Sequence, residues 1–179
     1  MYAYMTLLLF AVGVSYFGRR FGSAGVRVLS LFIVAIFLVL FAGFRDVSVG
    51  TDTYNYVSWL SEVQSFDDVL VFDLDKGFGF IVLSGSLLSD GYALYLMIIA
   101  FVVVTFYLVP ISRMLSRYEL GIFVFVALGF YTFFFNGARQ GVALAICFSA
   151  MPWLLERKFI PYFLAVACAA LFHKTALVA

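Results

Sequence analysis

The chain has 179 residues, of which 65% are hydrophobic and only 12% are charged, and its mean hydropathy is +1.11. Because soluble globular domains carry about 25% charged residues, this composition excludes that class and makes lipid part of the solvent. The net charge of +1 provides no basic face for nucleic acid. Cys147 and Cys168 both lie inside apolar stretches, which favours buried thiols over a disulfide or metal site.

Six apolar runs predict an all-α fold, a polytopic transmembrane helical bundle with about six spanning helices. The runs are continuous rather than alternating, which excludes an outer-membrane barrel. The first run lacks the basic region and cleavage site of a signal peptide, so we expect a retained helix. The runs cover residues 2–17, 28–44, 92–111, 120–135, 142–155 and 159–172. We expect residues 1–179 to form one transmembrane domain.

A further apolar segment, 78–88, is shorter than the ~20 residues that a spanning helix needs, and we predict that it is re-entrant or interfacial. Cytoplasmic loops of membrane proteins carry an excess of Lys and Arg. If the segment does not cross, seven basic residues lie inside and four outside; if it does, the numbers are five and six. The non-crossing topology therefore fits better, with the N-terminus outside a bacterial inner membrane. Its inner residues are Arg19, Arg20, Arg27, Arg113, Arg117, Arg157 and Lys158, and its outer ones are Arg45, Lys76, Arg139 and Lys174.

The segment 45–76 is predicted to be an acidic loop on the outer face. Its aromatic-rich part, 54–64, predicts a helix lying in the membrane interface. Thr51, Asp52 or Thr53 can cap this helix through a side-chain oxygen. The remaining acidic side chains lack the spacing of a calcium loop, and we expect a solvated loop and no metal site. They are Asp67, Asp68, Asp73 and Asp75.

Four polar residues lie beside membrane-length apolar runs, and the predicted topology places all of them on the outer side. Ionisable groups at membrane depth are costly and indicate function. Each also has a simpler interpretation: an interfacial anchor for the two arginines, a helix cap for the aspartate and a carbonyl-bonded side chain for the histidine. An ion pair between Arg45 and Asp52 is a further alternative. The four residues are Arg45, Asp52, Arg139 and His173.

Asn136, Arg139 and Gln140 are spaced to share one face of a helix. A guanidinium flanked by two amides suits a phosphate or diphosphate, which arginine binds through a planar fork of donors. His173 is a candidate general acid or base. The chain contains no P-loop, dinucleotide fingerprint or nucleophile elbow, so nucleotide hydrolysis within it is unsupported.

Four motifs in order resemble the EpsG family of exopolysaccharide-synthesis proteins, which is similar to Wzy-type O-antigen polymerases. They are Gly43-Phe44-Arg45, Gly50-Thr51-Asp52-Thr53-x-x-Tyr56, Asn136-x-x-Arg139-Gln140 and Phe172-His173-x-Thr175. The resemblance implies a polymerase that joins repeat units carried on a polyprenyl diphosphate at the outer face of the membrane, without metal or nucleotide cofactor. It also implies contacts with membrane lipid and with other capsule or exopolysaccharide assembly proteins.

The same resemblance implies roles for the outer-face residues. Arg139 and Arg45 would bind the diphosphate, with Asn136 and Gln140 beside the substrate, and His173 or Asp52 would activate the acceptor hydroxyl. Family members are about twice as long, so we expect this chain to be the N-terminal half of a polymerase. A transporter or flippase, and a glycan ligase or acyltransferase, are the alternatives.

Overall fold

The computed structural model describes residues 2–71, 75–88 and 91–178, and Asp73 of the predicted acidic loop lies outside them. All regular elements among the described residues are helical, which confirms the predicted all-α class. They are α1 (Tyr2–Phe21), α2 (Ala24–Gly43), α3 (Thr53–Glu62), α4 (Phe66–Val71), α5 (Lys76–Leu88), α6 (Tyr92–Met114), α7 (Tyr118–Ala127), α8 (Phe130–Asn136), α9 (Ala138–Ser149), α10 (Met151–Leu155), α11 (Phe159–Ala170) and a 3₁₀ helix (Lys174–Val178).

Four stretches of the described chain are long and apolar enough to cross a membrane, which supports a polytopic bundle. They match four of the six predicted runs, two of them as pairs of consecutive helices. The other two runs form α1, with 20 residues, and α11, whose 12 residues are fewer than the ~20 of a spanning helix. The four stretches are Ala24–Gly43, Tyr92–Met114, Tyr118–Asn136 and Ala138–Leu155.

Helices α2 and α6 are antiparallel, and this relation fixes the path of the chain between them. Gly43, at the end of α2, lies against Met97 near the start of α6. At the opposite end of the pair, Val28 and Arg113 line one groove. The chain therefore leaves α2 and enters α6 at the same end of the bundle, and the 13-residue α5 between them makes no net crossing. This agrees with the interpretation of segment 78–88 as non-spanning.

The bundle has two chemically different ends. At one, which we call the basic end, Arg19 forms a 2.7 Å ion pair with Glu119, and the Arg27 guanidinium lies 5.6 Å from the Tyr118 ring. The other, which we call the site end, contains the end of α2, the start of α6 and the start of α9. Arg45, Asp52, Arg139 and His173 all lie at or beside helix termini at this end, as their predicted grouping requires.

We expect cysteine labelling to place the two ends on opposite sides of the membrane. Ser48 is exposed at the site end and Ser116 is exposed at the basic end. In a background with Cys147→Ala and Cys168→Ala, Ser48→Cys should react with an impermeant maleimide added to intact cells. Ser116→Cys should react only after the cells are opened. Labelling of both, or the reverse pattern, would contradict the topology.

Candidate functional site

The helix that carries Arg139 begins where the helical backbone is interrupted at Gly137. Helix α8 ends at Asn136 and α9 begins at Ala138, with Gly137 between them at φ −135° and ψ 61°. The prediction that Asn136, Arg139 and Gln140 share one face of a continuous helix is therefore wrong. Glycine is a poor helix former, because its backbone has the most freedom to lose. The interruption leaves Arg139 and the half-buried Gln140 in the first turn of α9.

The hydroxyl of Tyr56 bonds the peptide groups on both sides of this interruption. It accepts a hydrogen bond from the Ala138 N–H at 3.0 Å and lies 3.0 Å from the Asn136 carbonyl, to which it can donate. A carboxylate oxygen of Asp52 lies 3.4 Å away and competes for the same proton. Burial raises the pKa of Tyr56, so the hydroxyl keeps its proton and serves as both donor and acceptor.

The loop before α3 is bound to the end of α8. The backbone N–H and hydroxyl of Thr51 donate to the Asn136 side-chain oxygen at 2.8 and 3.2 Å. Gly50 has φ +96°, and a Cβ there would lie 2.7 Å from the Phe135 carbonyl oxygen. The motif that contains Gly50 and Thr51 is thus bonded to the motif that contains Asn136. The Asn136 side-chain oxygen serves as the acceptor of this contact. We call this contact, made by Gly50, Thr51 and Tyr56, the latch.

Asp52 does not cap α3 through its side chain. It occupies the N-cap position of the helix Thr53–Glu62, but it has φ −103° and ψ −2° and makes no side-chain cap hydrogen bond. Side-chain capping normally requires an extended backbone at this position. Thr53 does not cap α3 either, since its hydroxyl contacts the Val49 and Phe135 carbonyls, and Thr51 instead bonds Asn136. The capping prediction is therefore wrong, although the helix that it marked is present.

Arg45 is buried beneath the latch and is not paired with Asp52. Its Nη1 donates to the Ala42 carbonyl at 2.8 Å, its Nε lies 3.4 Å from the Thr53 hydroxyl, and its guanidinium lies 4.3 Å from the Phe135 ring centre. Among the described residues it has no ion-pair partner, and its Nη2 has no hydrogen-bond partner. Burial lowers the pKa of Arg45 to about 10, which leaves it charged at neutral pH.

An apolar groove of about 520 Å³ adjoins Arg45 at the site end. A buried, unpaired cation is costly unless an anion compensates its charge. The groove therefore combines an apolar wall with one cation that lacks a counter-ion among the described residues. The other lining residues are Ala3, Tyr4, Phe37, Leu40, Phe41, Phe44, Val49 and Phe135.

Arg139 and His173 meet at a third residue, Asp75. The Arg139 Nη1 and the His173 Nδ1 lie 3.4 and 3.3 Å from the same Asp75 oxygen. The Asp75 side chain is only 11% exposed, whereas those of Arg139 and His173 are 35% and 27% exposed. Both contacts are longer than the usual 2.7–2.9 Å of a charge-assisted hydrogen bond. The carboxylate thus holds the two groups together while each keeps an open side.

The backbone holds Asp75 in place independently of its carboxylate. Its carbonyl accepts hydrogen bonds from the N–H groups of Phe78 and Gly79 in the first turn of α5. Gly77, two residues later, donates its N–H to the Leu171 carbonyl at 2.8 Å. A Cβ at Gly77 would lie 2.9 Å from the same carbonyl oxygen. The start of α5 therefore lies directly against the chain that leads to His173.

Aromatic side chains lie beside this cluster. The Arg139 guanidinium lies 5.7 Å from the ring centre of Trp59, whose ring lies 5.3 Å from Tyr56 and 6.1 Å from Phe78. A cation on an aromatic face is attracted by the ring quadrupole. The accessible cation, the imidazole and the half-buried indole together offer charge, proton transfer and a flat apolar surface at one place.

The structure brings together some of the predicted site residues and separates others. Arg139 and His173 meet through Asp75, and Asn136 and Asp52 meet at Tyr56. Arg45 joins neither group directly, but it contacts their neighbours Thr53 and Phe135 and lines the 520 Å³ groove. The sequence predicts Asp75 to be part of a solvated loop, and neither its contact with Arg139 and His173 nor the positioning role of Tyr56 follows from the sequence. The available signal for Asp75 was its place shortly before the apolar segment 78–88.

We expect Tyr56→Phe to destabilise the protein by about 1–3 kcal/mol, because it leaves the buried Ala138 N–H without an acceptor. Thermal unfolding in detergent measures the loss. Tyr54→Phe removes the same hydroxyl from a neighbouring side chain that is 71% exposed, and it should leave the unfolding temperature unchanged. Equal stability of the two variants would contradict the role of Tyr56 at the helix interruption.

Comparison with models of protein families identifies a relationship. The model of the EpsG family matches residues 28–179, a region that contains Arg45, Tyr56, Asp75, Arg139 and His173. Searches of curated proteins and of solved structures found no match. The family points to an exopolysaccharide-related membrane protein of the polymerase type. Since the match spans most of the chain, this protein belongs to the EpsG family.

Proposed function

We propose that this chain takes part in joining polysaccharide repeat units, by transferring glycan from a polyprenyl diphosphate to the next unit at the outer face of the inner membrane. The observation that carries the proposal is the meeting of Arg139 and His173 at Asp75, with both side chains partly open to a ligand. A glycosyl diphosphate donor needs positive charge at its leaving group and a base for the attacking hydroxyl. These two residue types supply both.

In the proposed transfer, the acceptor hydroxyl oxygen attacks the anomeric carbon of the donor glycan. The bond from that carbon to the diphosphate oxygen breaks, and its electron pair leaves with the polyprenyl diphosphate. The acceptor proton passes to His173. Arg139 stabilises the charge that develops on the diphosphate, and stabilisation of developing charge is usually the largest single contribution to catalysis.

The position of Arg139 on its helix supports an anionic ligand. Arg139 lies in the first turn of the 12-residue α9, where the helix dipole favours negative charge. A guanidinium can bind two phosphate oxygens with its planar fork of donors. Asn136 and Gln140 flank it in sequence, and we propose that their amide groups contact the phosphate or the sugar hydroxyls.

Arg45 and Asp52 have separate places in the proposal. Arg45 lines the apolar groove, and its buried Nη2 has no hydrogen-bond partner among the described residues. We propose that a lipid phosphate supplies this partner, with its chain in the groove toward Phe37. Asp52 is the second candidate for activating an acceptor hydroxyl. It contacts Tyr56, whereas His173 is joined to Arg139 through Asp75, and for this reason we assign the base to His173.

A transporter or flippase is the alternative from another functional class. Transporters of known type bind their substrates near the bilayer midplane, at broken helices in corresponding repeats. The candidate site residues instead lie at or beside the termini of helices, at the site end of the bundle. This placement favours chemistry at a membrane face over passage through the membrane.

We expect Arg139→Ala to abolish polymer longer than one repeat unit and to leave membrane insertion intact. Gel analysis of the polysaccharide, with fractionation of the protein, measures both. Arg117→Ala removes the same side chain from an exposed position at the basic end and should leave long chains unchanged.

Two results would contradict the proposal. One is a normal chain-length distribution in Arg139→Ala. The other is accumulation of lipid-linked single units on the inner side of the membrane in that variant, since a polymerase defect should leave them at the outer face.

A further inference from the structure

We propose that Asp75 is a positioning residue that couples binding of the diphosphate donor to the readiness of the base. The inference rests on the proposed function and deepens it. In the free protein, one carboxylate oxygen lies 3.4 Å from the Arg139 Nη1 and 3.3 Å from the His173 Nδ1. When a diphosphate binds the Arg139 guanidinium, the Asp75 carboxylate keeps only its contact with the His173 imidazole.

The carboxylate of Asp75 selects the tautomer of His173. An ionised carboxylate can only accept hydrogen bonds, so a neutral imidazole facing Asp75 must carry its proton on Nδ1. Its Nε2 then has a free lone pair and can receive the proton of an acceptor hydroxyl. A carboxylate beside an imidazole selects the tautomer and orients the ring in this way.

Arg139 can exchange its contact with Asp75 for a contact with the diphosphate. A single carboxylate oxygen at 3.4 Å is a weak competitor for a guanidinium that a diphosphate can bind with two shorter, charge-assisted hydrogen bonds. Once the guanidinium is bound to the donor diphosphate, its positive charge no longer offsets the negative charge of the Asp75 carboxylate. The carboxylate is then free to stabilise the imidazolium that forms as His173 takes the proton.

The negative charge of Asp75 can be removed without breaking the backbone hydrogen bonds that hold the start of α5. The start of α5 is held by backbone hydrogen bonds, from Phe78 and Gly79 to the Asp75 carbonyl and from Gly77 to the Leu171 carbonyl. Asp75→Asn keeps the size of the side chain and leaves these bonds in place. The substitution therefore tests the charge of Asp75 and not the fold around it.

The experiment compares Asp75→Asn with the wild-type chain in lipid nanodiscs. His173 is the only histidine of the chain, so selective ¹⁵N labelling yields one imidazole whose two nitrogen shifts report the tautomer. We expect Asp75→Asn to lose the preference for the Nδ1–H form. Because Arg139 no longer has a competing anion, binding of inorganic pyrophosphate by calorimetry should be as tight as in the wild type or tighter.

In cells, the rate of polymer formation by Asp75→Asn should fall about a hundredfold, the typical contribution of a positioned acid or base. Asp75→Glu keeps the charge and should recover part of that rate. Asp67→Asn makes the same chemical change at an exposed position and should alter none of these readouts.

Two outcomes would overturn the inference: an unchanged tautomer in Asp75→Asn, or a loss of pyrophosphate binding in that variant, which would indicate a purely structural role. Failure of the proposed function is recognised separately. It would be seen as normal polymer in Arg139→Ala, whereas the tautomer and pyrophosphate measurements on Asp75→Asn need no polymerisation.

Discussion

The site depends on how the backbone polar groups are satisfied at Gly137, where one apolar helix ends and the next begins. A peptide group released from a helix must find another partner where water is scarce, and at Gly137 the partner is the hydroxyl of Tyr56. This one side chain allows α9 to begin at Ala138, which places Arg139 in a first helical turn. Thr51 of the latch also bonds Asn136, the last residue of α8, and so holds the preceding helix at the same point.

The second constraint is the short α5. The 13-residue α5 makes no net crossing of the bundle, because α2 ends and α6 begins at the same end. Its first turn is bonded to the chain just before His173, through Gly77 and Leu171. An aspartate from the acidic segment thereby reaches a basic residue of α9. The non-spanning segment that decided the topology also delivers the third member of the cluster.

The sequence predicts the features that depend on composition and hydropathy. It does not predict those that depend on contacts between residues far apart in the chain. Hydropathy and the distribution of basic residues predicted the helical bundle and the shared end of Arg139 and His173. Helical spacing failed across Asn136 and Arg139 because Gly137 interrupts the helix. Asp75 lies 64 residues from Arg139 and 98 from His173, and no periodicity relates residues so far apart. The capping prediction failed because the Asp52 backbone is not extended.

The two arginines of the site end differ in a way that bears on how each meets an anion. Arg139 is half-open and already has a carboxylate nearby, so it can exchange one anion for another at little cost in desolvation. Arg45 is buried and has no such partner among the described residues, so an anion that reached its unused donor would compensate a charge already taken out of water. Exchange suits a ligand that must bind and leave at each transfer. Compensation suits a lipid phosphate that remains in the groove.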